Sequence, residues 1–335
     1  MAPIVEVKNL VKVFNGTVRA VDDISFSVDE GEIFGFLGPN GAGKTTTISI
    51  LTTLLKQTSG EARVGGYDIS QDPTEVRRIL GLVPQDLTVD DDLTGKENMI
   101  LQGDLYRVPR EDTISRTEAL LELVGLTGSA DRLVKTYSGG MRKRLELAEG
   151  LIHRPRILFL DEPTLGLDVQ TRAAMWDYIM NLKREHNTTI FLTTHYLEEA
   201  DSLCDRIGII DQGRIIALDT PDRLKEKVGG DVIEITIRGG EDHSDEIREI
   251  HGVLGVEASG ESYRIKVTRG EDCAPSILQS LWAQEVVVKS VNIRRPSLDQ
   301  VFLDYTGRSF RDENQTGARD MGQRMASAEQ ARRRR

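Results

Sequence analysis

The clearest chemistry in the chain lies in nine residues, Gly38-Pro39-Asn40-Gly41-Ala42-Gly43-Lys44-Thr45-Thr46. Their spacing fits G-x-x-x-x-G-K-[ST], a phosphate-binding pattern. Glycines let the backbone turn tightly enough for several N–H groups to aim at one anion. A helix that starts at such a loop adds the partial positive charge of its N-terminus. On this geometry Lys44 reaches the β- and γ-phosphates of a nucleotide, and the Thr45 hydroxyl ligates Mg²⁺.

Further along, Asp161 and Glu162 end the apolar run Ile157-Leu158-Phe159-Leu160. Asp161 can hold Mg²⁺, directly or through water. Glu162 points elsewhere and can orient or deprotonate a water. A merely solvated acidic strand end fits poorly after four consecutive apolar residues. His195 closes a second apolar run, Thr188 to Thr194. A lone histidine is more often structural, but this one stands at a strand terminus beside the other groups. Phe14, two dozen residues before the glycine loop, offers a ring that could stack on a nucleotide base, and an edge-strand core role is equally open. Ser138-Gly139-Gly140 puts an N-cap and glycines at a helix start, a second place for a phosphate, although capping alone explains it.

These groups need a scaffold. Ile33-Phe34-Gly35-Phe36-Leu37 before the glycine loop reads as a strand, and Thr47-Ile48-Ser49-Ile50-Leu51 after it continues a helix. Strand, glycine loop and helix is the context that makes the motif a site. Ile4 to Val13 and Ala20 to Val28 alternate like strands around an Asn15-Gly16 turn. Glu61 to Leu82 reads as strand, turn, helix and strand. Val83-Pro84-Gln85 then opens a polar loop, and Leu93 to Leu126 is helix-rich. A helix over Met141 to His153 follows Ser138. The runs ending at Asp161 and Thr194 are apolar on both faces, as expected of central strands in a parallel sheet. Active residues collect at the carboxyl ends of such strands. Arg206 to Ala217 reads as a closing hairpin. After Val228-Gly229-Gly230 the order becomes β-α-β-β-α-β, a ferredoxin-like α+β unit with no phosphate loop, metal spacing or paired carboxylates. Pro296 to Leu303 adds a short helix. Beyond Thr306 the polar tail, ending in Arg332-Arg333-Arg334-Arg335, is expected to be disordered and solvated.

With 335 residues there is room for two domains. The formal net charge of −11 argues against a nucleic-acid partner. Apolar runs stay well short of the roughly 18 residues of a membrane span. The N-terminus shows no secretory pattern, so a cytoplasmic location is expected. Cys204 and Cys273 have no metal-site spacing and read as ordinary thiols.

Taken together, Ile4 to Asp219 resembles the ATP-binding subunit of an ABC transporter. Several motifs in the right order carry the resemblance, which is more specific than any one of them. Gly38 to Thr46 looks like Walker A, Gln85 like the Q-loop and Ser138-Gly139-Gly140 like the signature. Ile157 to Asp161 looks like Walker B, followed by the catalytic Glu162. Leu165-Gly166-Leu167-Asp168 looks like the D-loop, His195 like the switch histidine and Phe14 like the adenine-stacking aromatic. The second domain and Pro296 to Leu303 resemble the daunorubicin-resistance subgroup, which energises ABC-2 type exporters. Two departures stand out: Tyr137 replaces the signature's usual Leu, and Met141 its usual Gln.

The resemblance implies an α/β P-loop ATPase over 1–228, with a helical subdomain at about 86–153, an accessory domain at 229–305 and a tail at 306–335. Thr45, Gln85 and Asp161 would hold Mg²⁺, and Glu162 and His195 would serve catalysis. Ser138, Gly139 and Gly140 would meet the ATP of a second copy in a head-to-tail dimer, and Asp168 would couple the two chains. A separate permease would hold the subunit on the cytoplasmic face of the cell membrane. A soluble ABC ATPase linked to nucleic acid or ribosomes is the principal alternative. Such proteins tend to carry coiled coils or two cassettes, and neither is visible here.

Overall fold

The computed structural model describes residues 3–239, 242–294 and 296–308. The tail expected beyond Thr306 lies outside these from residue 309 on. The chain divides into two compact units, with the division between Leu218 and Asp219.

The first unit opens with two long strands, β1 (Val5–Phe14) and β2 (Val18–Val28). There follow β3 (Ile33–Leu37), α1 (Lys44–Leu51), β4 (Ser59–Val64) and β5 (Tyr67–Asp68). Next come α2 (Pro73–Ile79), β6 (Leu80–Val83), α3 (Gly95–Leu105), α4 (Arg110–Leu123) and α5 (Gly139–Leu151). The unit closes with β7 (Ile157–Asp161), α6 (Val169–His186), β8 (Thr189–Thr194), α7 (Leu197–Leu203), β9 (Arg206–Asp211) and β10 (Arg214–Asp219).

Two sheets form from these strands. One has the order β2-β1-β4-β5; the other has the order β10-β9-β3-β8-β7-β6. In the second, β3, β6, β7, β8 and β9 pair in parallel. Every residue of β3, β7 and β8 is buried, as strands apolar on both faces must be. Phe34, Phe36, Phe159 and Phe191 from this sheet meet Phe26 and the apolar side of the first sheet in one core. Gly35 interrupts the aromatic run for a steric reason. A Cβ there would lie 2.5 Å from the buried Cys204 sulfur.

The alternating order leaves the ends of β3, β7 and β8 side by side, so the glycine loop, the carboxylate pair and His195 share one edge. The sequence reading assigns no element to 169–186, which the structure makes α6. Asp168 caps its start, accepting from the Thr171 N–H at 2.9 Å, and Asn187 ends it in the left-handed region at φ 49. Met175, Ile179 and Leu182 bury its inner stripe.

The second unit adds α8 (Pro221–Gly229), β11 (Asp231–Arg238), α9 (Ser244–Arg248), β12 (Val253–Ser259), β13 (Ser262–Val267), α10 (Gly270–Ala283), β14 (Val287–Arg294) and α11 (Leu298–Thr306). Its antiparallel sheet runs β12-β13-β11-β14, the strand order of a ferredoxin-like unit. The division falls ten residues earlier than the expected boundary at 228. The reason is that α8 packs against α11 within this unit, so Gly229 and Gly230 only turn α8 into β11.

Candidate functional site

Between β3 and α1 the glycine loop curls around a cavity of about 220 Å³. Asn40, Gly41, Gly43, Lys44, Thr45 and Thr46 line it, with Ala20, Gln85 and Glu162. Gly43 has φ 108, and a Cβ there would lie 2.4 Å from the Ala20 carbonyl oxygen. Gly38 is equally constrained, by the Ile210 carbonyl at 2.4 Å. A Cβ on Gly41, at φ 82, would meet nothing within 4 Å. Two glycines are thus demanded by close backbone approach, and the third by conformation. Ala42 is buried and Pro39 supplies a carbonyl to Lys44.

The Lys44 ammonium is 4% exposed. It donates to the carbonyls of Gly38 at 2.8 Å and Pro39 at 3.2 Å, and pairs with Glu162 Oε1 at 3.1 Å. Glu162 Oε2 in turn accepts from His195 Nδ1 at 2.7 Å. Asp161 Oδ1 accepts from Thr193 Oγ1 at 2.5 Å and from Thr45 Oγ1 at 3.3 Å. Glu162 sits at φ 50, a left-handed conformation that costs an L-residue on the order of 1–3 kcal/mol. That turn ends the strand's alternation. Consecutive carboxylates then face different partners, Asp161 toward the two threonines and Glu162 toward the lysine and the histidine.

Burial dominates the titration of these groups. It pushes the Asp161 carboxyl above its ordinary value, although the Thr193 and Thr45 hydroxyls pull it down. Burial also lowers the Lys44 ammonium, outweighing the attraction of Glu162 and Asp161. For Glu162 the balance reverses. Burial raises it, but the His195 hydrogen bond and the Lys44 charge together hold it below the ordinary carboxylate value. The site therefore favours the ionised form of Glu162 beside a cation that burial has made less comfortable as a charge. Phosphate oxygens entering this loop would meet Lys44 and the first N–H groups of α1. Thr45, Gln85 and Asp161 are oxygen donors, the chemistry that suits a hard cation such as Mg²⁺.

The signature residues lie elsewhere. Ser138 caps α5, accepting from the Met141 N–H at 3.2 Å, and neither it nor Gly139 or Gly140 lines the cavity. Tyr137 is buried, and its hydroxyl donates to the Ser129 carbonyl at 2.6 Å. The replacement for Leu therefore keeps an apolar anchor and adds a bond. Asp168 stands exposed, with Oδ2 accepting from Thr171 Oγ1 at 2.7 Å. The Thr171 methyl would lie 2.5 Å from a Cβ on Gly140, so signature and D-loop residues of one chain abut. Phe14 ends β1 at 37% exposure, with the Lys12 ammonium 5.0 Å from its ring centre, and does not line the cavity.

Residues 21–165 match the family model "ABC transporter", and residues 220–306 match "ATP-binding protein DrrA1-3-like, C-terminal domain". The daunorubicin/doxorubicin resistance ATP-binding protein DrrA of Streptomyces peucetius is 41% identical over 313 residues, covering 92% of this chain and 94% of that one. The chain belongs to the ABC transporter ATP-binding protein family. The linearmycin resistance ATP-binding protein of Bacillus subtilis is 38% identical, covering 92% of this chain and 99% of its own length. Among solved structures, a dimeric ATP-binding cassette bound to ADP and phosphate aligns with a TM-score of 0.59 at 26% identity. It covers 64% of this chain and 98% of that one.

Within this ABC subunit, two contributors escape sequence reasoning. Thr193 bridges the carboxylate pair, since its hydroxyl also accepts from the Glu162 N–H at 3.0 Å. Only its place two residues before His195 hinted at it. Glu199 is fully buried on α7, accepting from Thr164 Oγ1 at 2.8 Å and Trp176 Nε1 at 3.0 Å. It ties the segment after Glu162 to the segment after His195, and no spacing rule would have singled it out.

Proposed function

We propose that this chain is the ATP-hydrolysing subunit of an ABC-2 type exporter. In this reading it pairs head to tail with a second copy and works on the cytoplasmic face of a separate membrane permease. The observation that carries the reading is the chain Lys44–Glu162–His195, its first two members buried, beside a glycine-lined cavity, with Ser138 standing outside that cavity.

Lys44 exchanges its carbonyl and carboxylate partners for β- and γ-phosphate oxygens. Thr45, Gln85 and Asp161 would hold Mg²⁺, Asp161 by way of a water, and a cation there would supply charge to offset the phosphates. Glu162, held by its His195 hydrogen bond once Lys44 has turned to the phosphates, accepts a proton from the water that attacks the γ-phosphorus. The bond to the ADP oxygen breaks as the new P–O bond forms. His195 orients Glu162 and faces the γ-phosphate end. Phe14 stacks on the base, with Met141 in place of a polar signature side chain. Ser138, Gly139 and Gly140 close the site of the other copy, which two-fold symmetry turns into two equal sites. Asp168 links the chains at the same junction.

Among the described residues no helix is long and apolar enough to cross a membrane, which supports a separate permease. A drug-like, antibiotic or lipid-like cargo is supported by the resistance roles named for the relatives. Replacing Lys44 by Ala tests the site. ATP binding, followed by a fluorescent nucleotide, is expected to fall below detection, and unchanged affinity would remove the glycine loop from its role.

A further inference from the structure

Helix α5 buries three ionisable side chains at a spacing of three: Lys143, Glu146 and Glu149, at 4%, 2% and 6% exposure. Residues three apart share a helix face, and a buried face of this kind is ordinarily apolar. Charges taken out of water need partners to persist. The partners found here are specific. Lys143 Nζ donates to the carbonyl of Pro84 at 2.5 Å and to that of Gln85 at 3.2 Å. It also pairs with Glu146 Oε2 at 3.1 Å. Two ammonium protons thus go to main-chain carbonyls, and the charge is balanced by the Glu146 carboxylate. Glu146 Oε1 accepts from the Thr88 N–H and, at 3.0 Å, from the Thr88 hydroxyl.

Among the described residues, no loop hydrogen bond between backbone groups involves residues 84–88. Four polar contacts from two α5 side chains hold this segment. The same helix is capped by Ser138, five residues before Lys143, and the same loop carries Gln85 to the cavity.

We propose that Lys143 and Glu146 are positioning residues that clamp the Gln85 loop to the signature helix, so that Gln85 and Ser138 of one chain move as a unit. The inference rests on the function proposed above. In a head-to-tail pair, Gln85 serves the ATP held by its own chain and Ser138 the ATP held by the other. The clamp therefore links the two sites through one chain. Neither residue touches nucleotide. Their work is to fix where the Gln85 side chain can point.

The test uses the full chain with Lys143→Met and Glu146→Leu combined, because removing both members of a buried pair leaves no orphaned charge. Lys143→Arg, which keeps the charge, is the rescue. ATP affinity measured in EDTA is set by the Lys44 loop and stays at the wild-type value. The Mg²⁺ concentration for half-maximal turnover rises about tenfold, the scale of a lost supporting contact behind a metal ligand. Lys143→Arg recovers part of that shift. Hydrogen exchange at residues 84–88 quickens in the double variant and no longer slows in step with residues 138–142 when nucleotide is added. If the double variant keeps wild-type Mg²⁺ dependence and exchange, the clamp is refuted. Loss of ATP binding in EDTA together with turnover would also refute it, by revealing general damage rather than positioning. Failure of the underlying reading looks different: the wild-type protein itself would then hydrolyse no ATP.

Discussion

Glu149 gives a quantitative test of how this fold handles buried charge. It lies one turn beyond Glu146 on α5, 6% exposed. Burial, with the nearby Glu146 charge adding to it, pushes its carboxyl from 4.5 up to about 8, against the pull of a hydrogen bond with Gln102. A folded-state value above the unfolded one means that the fold prefers the protonated acid. The group's contribution is complete below about pH 4.5 and is lost as pH rises through about 8. A rise from 4.5 to about 8 corresponds to about 5 kcal/mol at high pH, at about 1.4 kcal/mol for each tenfold change in proton affinity. By pH 7 about 3 kcal/mol of this has already gone. Water entry and relaxation around an ionised carboxylate make these figures ceilings. Glu149→Gln keeps the shape and the hydrogen bonding to Gln102 but cannot ionise. Thermal unfolding of both proteins is expected to coincide within a few degrees near pH 5. Near pH 7 the variant should melt about 6–12 °C higher, since about 1 kcal/mol moves a domain of this size by about 2–4 °C. A difference that does not change with pH would refute the reasoning, as would a variant less stable at pH 8 than at pH 5 relative to wild type.

Other expectations follow from single contacts. Thr193→Val removes the hydroxyl that pulls the Asp161 carboxyl down against burial. The acid limb of the kcat/KM profile should move to higher pH, and a limb that stays put would contradict that assignment. Gly140→Ala drives a methyl to 2.5 Å from the Thr171 side chain, and Asp168 holds Thr171 by its hydroxyl and its N–H. Turnover should fall about 100-fold, the scale of a 1 Å misplacement. ATP binding to the single chain should survive, and wild-type turnover would separate Gly140 from the reaction.

How far the sequence carried this account depended on the range of each signal. The glycine loop, the apolar strands β3, β7 and β8 and the second unit's β-α-β-β-α-β order were legible because each is a local pattern with one physical reading. Their adjacency followed from the parallel order, which places strand ends on a common edge. Helix α6 was harder to see. Its apolar stripe of Met175, Ile179 and Leu182 is diluted by charged neighbours, and its stop signal is an Asn at φ 49 rather than a glycine. The unit division lies before α8 and not at Gly229-Gly230, which looks like a linker, because α8 packs on α11. Contacts such as Lys143 to Pro84 and Thr193 to Asp161 join residues 59 and 32 positions apart, with no local signature at either end. Side chains of that kind look in sequence like ordinary polar positions, and only their burial marks them.

In the proposed function Glu162 activates water at a site completed by a second copy. Glu162→Gln keeps the size of the side chain and removes the charge held between Lys44 and His195. Sedimentation of this variant with and without Mg-ATP, beside a phosphate-release assay, tests the claim most directly. The account predicts a dimer that forms with ATP and persists, with turnover reduced at least about 100-fold. A variant that hydrolyses ATP at the wild-type rate, or that stays monomeric with saturating ATP, would contradict it.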